Sequence, residues 1–148
     1  MTRSRAAHSG SVVVYPDPTM LHRPVRVIEG EEFPYGVAFN SHGEMYVTES
    51  SLDCGQVAVL DSSGKRISTI GSRGDGPGWF QDPYYIAIDS NDSVYVTSNH
   101  KLQKFDRNGE FVKSVGSGSE GSKPGEFNLP RGVKVHQNQV YVCDFHNN

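Results

Sequence analysis

Three residues of this 148-residue chain share one place in a repeating pattern and could do chemistry together: Tyr35, Tyr84 and Arg131. Each follows a proline, and those prolines, Pro34, Pro83 and Pro130, stand 49 and 47 residues apart. Two aromatic rings and a guanidinium on one rim could stack the bases of single-stranded RNA or grip a peptide. The structural alternative is that the tyrosines merely cap an apolar core and Arg131 is solvated. Arg73 and Lys123, in two glycine-rich loops, would add positive charge and exposed backbone amides to the same ligand-binding face.

Other chemistries find little support. The six histidines, at positions 8, 22, 42, 100, 136 and 146, show no i, i+2 or i, i+4 pairing that would supply two metal ligands from one element. There is no Gly-x-Ser-x-Gly elbow and no phosphate loop ending in Gly-Lys-Ser/Thr. The residues therefore predict no catalytic group, no metal and no cofactor. With 17 acidic and 14 basic residues the net charge is −3, so no general basic field would draw DNA or an anionic membrane surface. No run approaches the ~20 apolar residues that span a bilayer. Cys54 and Cys143 form neither a CxxC pair nor a disulfide framework, which reads as free thiols and a cytoplasmic location.

The elements that must position these residues follow from a second marker. Tyr46-Val47-Thr48, Tyr95-Val96-Thr97 and Tyr141-Val142-Cys143 repeat at steps of 49 and 46. Between markers, four short runs rich in strand formers recur in order. They are Tyr35–Phe39, Glu44–Thr48, Gln56–Leu60 and Arg66–Ile70, and then Tyr84–Ile88, Ser93–Thr97, Lys101–Phe105 and Glu110–Val115. Turn residues separate them, among them the Asn108-Gly109 pair typical of tight hairpins. Four antiparallel strands repeated at this period make propeller blades. The expected fold is all-β, a partial, open propeller.

The expected layout is a disordered segment over 1–23 and a propeller over 24–148. Within the propeller, 24–30 is the last strand of a preceding blade, 33–71 and 82–116 are blades, and 129–148 is a truncated half blade. An open ring leaves strand edges exposed, so the missing blades would come from a longer chain or from self-association.

The local motifs resemble the NHL repeat. Asn99-His100-Lys101-Leu102-Gln103-Lys104-Phe105-Asp106 matches that family's naming segment. Phe127-Asn128-Leu129-Pro130-Arg131-Gly132-Val133 matches its opening, and Gly74-Asp75-Gly76-Pro77-Gly78-Trp79-Phe80 its glycine-rich link. The first unit departs from the pattern, with Ser51 to Gln56 in place of the naming segment. The resemblance implies structural roles for Asn99 and His100, which would tether the second strand to the third, and interblade anchoring by Trp79, Phe80 and Phe127. It implies a non-catalytic scaffold binding protein or RNA, as in tripartite-motif ubiquitin ligases where the propeller recognises substrate. The family also contains a lyase that processes peptide amides with metal-binding histidines. No match to those histidines is found. The alternative readings are the substrate-recognition part of an NHL-containing ubiquitin ligase, and after it a lyase or hydrolase whose active site is completed by missing blades.

Overall fold

In the computed structural model of the chain, residues 10–14 and 26–147 are described, the side chains of 29–31 excepted. Among them there is no helix. Twelve strands form two four-stranded and two two-stranded antiparallel sheets. β1 (Gly10–Val14) pairs with β2 (Arg26–Glu31). The first complete blade is β3 (Pro34–Phe39), β4 (Met45–Ser50), β5 (Gly55–Leu60) and β6 (Arg66–Ile70), paired in chain order. The second is β7 (Pro83–Ile88), β8 (Val94–Ser98), β9 (Lys101–Phe105) and β10 (Phe111–Val115). β11 (Pro130–His136) and β12 (Gln139–Asp144) form a final hairpin.

The eight strand runs read from sequence thus become strands within two residues at each end. β1 differs: Gly10–Val14 falls inside the segment expected to be disordered, and pairing with β2 makes it a strand. The rest of that expectation, 1–9 and 15–23, lies outside the described residues.

Apolar side chains fill the layers between sheets. Tyr46, Val57, Val59 and Ile70 on the first blade meet Phe80, Ile86, Val94, Val96 and Phe105 on the link and second blade. On the other face of the first blade, Met45, Val47, Ala58 and Leu60 pack around Ile28 of β2. Both faces of β4 and β5 are buried, which explains why these strands read as continuous apolar runs rather than alternating ones.

The marker threonines join neighbouring blades. Thr48 Oγ1 accepts from Gly36 N–H of its own blade at 2.8 Å and donates to the Tyr84 carbonyl of the next at 2.8 Å. One period later, Thr97 Oγ1 accepts from Tyr85 N–H at 3.2 Å and donates to the Arg131 carbonyl at 2.6 Å. Both hydroxyls are fully buried, where one oxygen satisfies a donor and an acceptor that would otherwise be stranded. The inner strands β3, β7 and β11 lie side by side as a result.

Within the first blade Glu49, also fully buried, takes both guanidinium nitrogens of Arg66, at 2.6 and 3.0 Å, together with Gln56 Nε2 and Glu32 N–H. A buried carboxylate is tolerable only with such complete pairing.

Replacing Thr48 by Val preserves shape and removes the bridging hydroxyl, leaving Gly36 N–H and Tyr84 C=O unpaired. Thr48→Val is expected to lower stability by about 1–3 kcal/mol, read as a lower urea midpoint at unchanged denaturant slope, with Thr97→Val behaving alike.

Candidate loop-face site

The first residues of the inner strands, the links between blades and the turns after β4, β8 and β12 share one rim. The residue following each repeat proline lies there, and the structure brings all three together. Tyr35 stands edge-on to Tyr84, with ring centroids 5.6 Å apart and planes at 84°. The Arg131 guanidinium carbon sits 4.9 Å from the Tyr84 ring centre and 4.9 Å from that of Phe145, so it is held between two aromatic faces. Phe145 in turn packs against the His146 ring at 4.6 Å. The row therefore runs Tyr35, Tyr84, Arg131, Phe145, His146 across three successive sheets.

Arg131 is half-buried, and its Nε is fully enclosed without a hydrogen-bond partner among the described residues. A stranded cationic donor of this kind is costly unless an acceptor reaches the guanidinium. Burial, with a contribution from the Asp82 carboxylate, raises the Tyr84 phenol above its ordinary 10.0, while the Arg131 charge pulls it back in part. At neutral pH Tyr84 is therefore a hydrogen-bond donor rather than a base.

Backbone strain lies beside this row. Phe33 and Leu129, each preceding a repeat proline, hold φ of 48° and 54°. Side chains of that size rarely occupy the left-handed region, at a cost on the order of 1–3 kcal/mol each. Pairing fixes them: Ser50 N–H donates to the Phe33 carbonyl and Phe145 N–H to that of Leu129.

Arg73 and Lys123 do not join the row. Arg73 is spent on the scaffold, donating to the carbonyls of Ser51 at 2.8 Å and Gln81 at 2.6 Å with Asp82 at 3.7 Å. Lys123 is exposed at the tip of the second link, where its backbone N–H is held by Glu126. Asn99 donates to Gln81 Oε1, and His100 Nδ1 accepts from Leu129 N–H at 3.3 Å, so both tie the turn after β8 to neighbouring links. Phe80 is fully buried and Phe127 half-buried. Trp79 differs from the anchoring role expected of it: it is 52% exposed and lies over Gly74, because the link turns it outward while its carbonyl accepts from buried Gln103 Nε2. Sequence reasoning missed Phe145 and Gln103. The signal for Phe145 was its phase, since it is the counterpart of Asn99.

No three or more His, Cys, Asp or Glu side chains converge into a possible metal site among the described residues. His100 and His146 share a phase, but His100 Nδ1 is already used as a backbone acceptor. The residues present do not by themselves fit a metal centre.

Comparison with known proteins places this geometry in context. A probable peptidyl-alpha-hydroxyglycine alpha-amidating lyase of Caenorhabditis elegans is 24% identical over 117 residues, covering 74% of this chain and 33% of that protein. Peptidyl-glycine alpha-amidating monooxygenase of Mus musculus is 29% identical over 127 residues, covering 77% of this chain and 13% of the relative. The chain thus spans a third or less of the length of the curated relatives it matches. Among solved structures, virginiamycin B lyase of Staphylococcus aureus superposes with a TM-score of 0.55 at 15% identity, over 80% of this chain and 39% of the lyase. At that identity it speaks for the fold alone.

These relatives overturn two sequence expectations, that the chain is a non-catalytic scaffold and that it is not enzymatic, and they favour the lyase alternative instead. The error had a physical cause: a propeller gathers its active site from several blades, so a constellation sought within two complete ones is necessarily partial. A family described as 6-bladed beta-propeller matches residues 37–112, just over half the chain, with both complete sheets in or overlapping the match, and the chain belongs to that family.

Proposed function

We propose that this chain forms part of a lyase propeller whose loop face holds a peptide substrate ending in an α-hydroxyglycine. The observation that carries the reading is Arg131, a guanidinium clamped between Tyr84 and Phe145 with a buried, unpaired Nε beside the inner strands. The curated relatives at 24% and 29% identity supply the substrate class.

Making an amide from an α-hydroxyglycine breaks the bond between the amide nitrogen and the glycine α-carbon. The hydroxyl proton ends on the nitrogen, and the carbon leaves as an aldehyde that carries the original carboxylate. Only the carboxylate is charged throughout, and a planar guanidinium is the side chain best shaped to take it in two parallel hydrogen bonds. In this reading Arg131 holds the carboxylate, its aromatic neighbours restrict the guanidinium to one orientation, and the neutral Tyr84 hydroxyl is a donor available to a substrate oxygen. Proton removal from the hydroxyl falls to groups beyond those assembled in the described row. The finer assignment of the repeat to the NHL type belongs to the same proposal. It is supported by the segment Asn99 to Asp106 and by two links of matching geometry, bridged in parallel between Arg73 and Phe80 and between Glu120 and Phe127.

The test is binding of a peptidyl-α-hydroxyglycine to the chain, followed by calorimetry. The expected result is saturable binding and a fall of about 10- to 100-fold in affinity for Arg131→Ala, the loss of about 1.5–3 kcal/mol for a hydrogen bond to a charged group. No binding by the unsubstituted chain, or unchanged affinity in the variant, would contradict the reading.

A second expectation concerns pH. Because the folded-state pKa of Tyr84 lies above its unfolded value, its contribution to stability is complete below about pH 10 and is lost as pH rises through the folded value. Ultraviolet titration of the chain against Tyr84→Phe should show one phenol ionising late, and Arg131→Leu should delay it further by removing the charge that pulls it down.

A further inference from the structure

Where the two complete blades meet, the rim carries a corner of two rings beside the Arg131 clamp. Tyr35 and Tyr84 stand at 84° with ring centres 5.6 Å apart, so their surfaces form two walls at nearly a right angle. Edge-to-face contact is the arrangement that ring quadrupoles favour, and a third ring placed in the corner can make the same contact again. Tyr35 is 53% exposed and Tyr84 half-buried, so ring surface is left for a ligand.

The backbone under both rings is fixed. Gly36 lets β3 come close against β7: a Cβ there would meet the Tyr84 carbonyl oxygen at 2.9 Å and the Tyr85 α-carbon at 3.1 Å. Thr48 Oγ1 accepts from Gly36 N–H and donates to the Tyr84 carbonyl, so one hydroxyl ties the residue after Tyr35 to Tyr84 itself. On the other side of Tyr35, the Phe33 carbonyl accepts from Ser50 N–H. A corner held in this way loses little conformational freedom when it is filled, so more of the apolar contact appears as affinity.

Tyr84 stands between Arg131 and Tyr35 in the row. A substrate whose carboxylate is held at Arg131 has its preceding α-carbon about 3.8 Å from that of the hydroxyglycine, close to one step along the row. The two directions away from Arg131 differ. Tyr84 and Tyr35 belong to the inner strands β7 and β3, whereas Phe145 follows β12, the strand behind β11, and its ring is already packed on that of His146. A peptide that leaves Arg131 along the inner strands therefore passes over Tyr84 toward Tyr35. We infer that the Tyr35–Tyr84 corner receives the side chain of the residue immediately before the α-hydroxyglycine and selects aromatic and large apolar side chains there. This rests on the reading of Arg131 as the group that holds the carboxylate.

Calorimetric titration with N-acetylated X-α-hydroxyglycine peptides, where X is Phe, Leu or Ala, tests it. The phenylalanine peptide should bind about 10-fold more tightly than the alanine peptide, with leucine between, the effect of burying much of one large apolar side chain. Tyr35→Ala should lower the phenylalanine peptide to the affinity of the alanine peptide and leave the alanine peptide unchanged, which also shows that the variant is folded. Tyr35→Phe should keep the preference, and Arg131→Ala should weaken all three peptides alike. Equal affinities for the unsubstituted chain, a preference that survives Tyr35→Ala, or equal weakening of all three peptides by that variant would overturn the inference and leave the Arg131 reading standing. No binding of any peptide, or binding unchanged in Arg131→Ala, would overturn that reading and this inference with it.

Discussion

The hydroxyl of the threonine that ends each Tyr-Val-Thr marker is the contact on which the rest of this structure depends. Apolar packing between sheets is strong but non-directional, and by itself would let one blade slide along the next. The threonine oxygen fixes the slide, because it accepts from the inner strand of its own blade and donates to the inner strand of the following one. Once the inner strands are held at one height, whatever follows the repeat proline in each must fall on one rim. Tyr35, Tyr84 and Arg131 meet for that reason and not because any of them seeks the others.

The same constraint explains how strain and stranded polarity are tolerated there. Phe33 and Leu129 hold left-handed backbone conformations just ahead of the prolines, and Arg131 keeps a buried nitrogen without a partner. Both are costs that a locally flexible rim would relieve. Bonds from the last residue of β4 and from the turn after β12 to the carbonyls of Phe33 and Leu129 deny that relief, so the rim is organised in advance of any ligand. A guanidinium held between two rings and short of one acceptor is suited to an anionic group on a substrate.

The fold was largely legible in the sequence because its signals are local and repeated. Alternation in Arg66–Ile70, the Asn108-Gly109 turn and the fixed step between markers each point to a strand or turn, and the period binds them into blades. β1 was missed because Val12-Val13-Val14 is short and far from β2 along the chain, so its strand character depends on a partner that local pattern does not name. The rim was legible by phase, which predicted that Tyr35, Tyr84 and Arg131 share a face. What phase could not show is which groups are already taken. Arg73 looked like a free cation and is consumed by two carbonyls, while Trp79 looked like an anchor and is turned out over Gly74. The likeness to enzymes was illegible for a different reason, since a ring distributes its residues over blades and no single stretch contains them.

Native-state hydrogen exchange at Gly36 and Tyr85 tests the central claim most directly, because their amides are held by the threonine hydroxyls rather than by a regular ladder bond. If those hydroxyls lock the inner strands, both amides exchange as slowly as the core amide of Val47 and lose protection only when the blades separate. Exchange at either amide near the rate of an exposed loop, with Val47 still protected, would contradict the account.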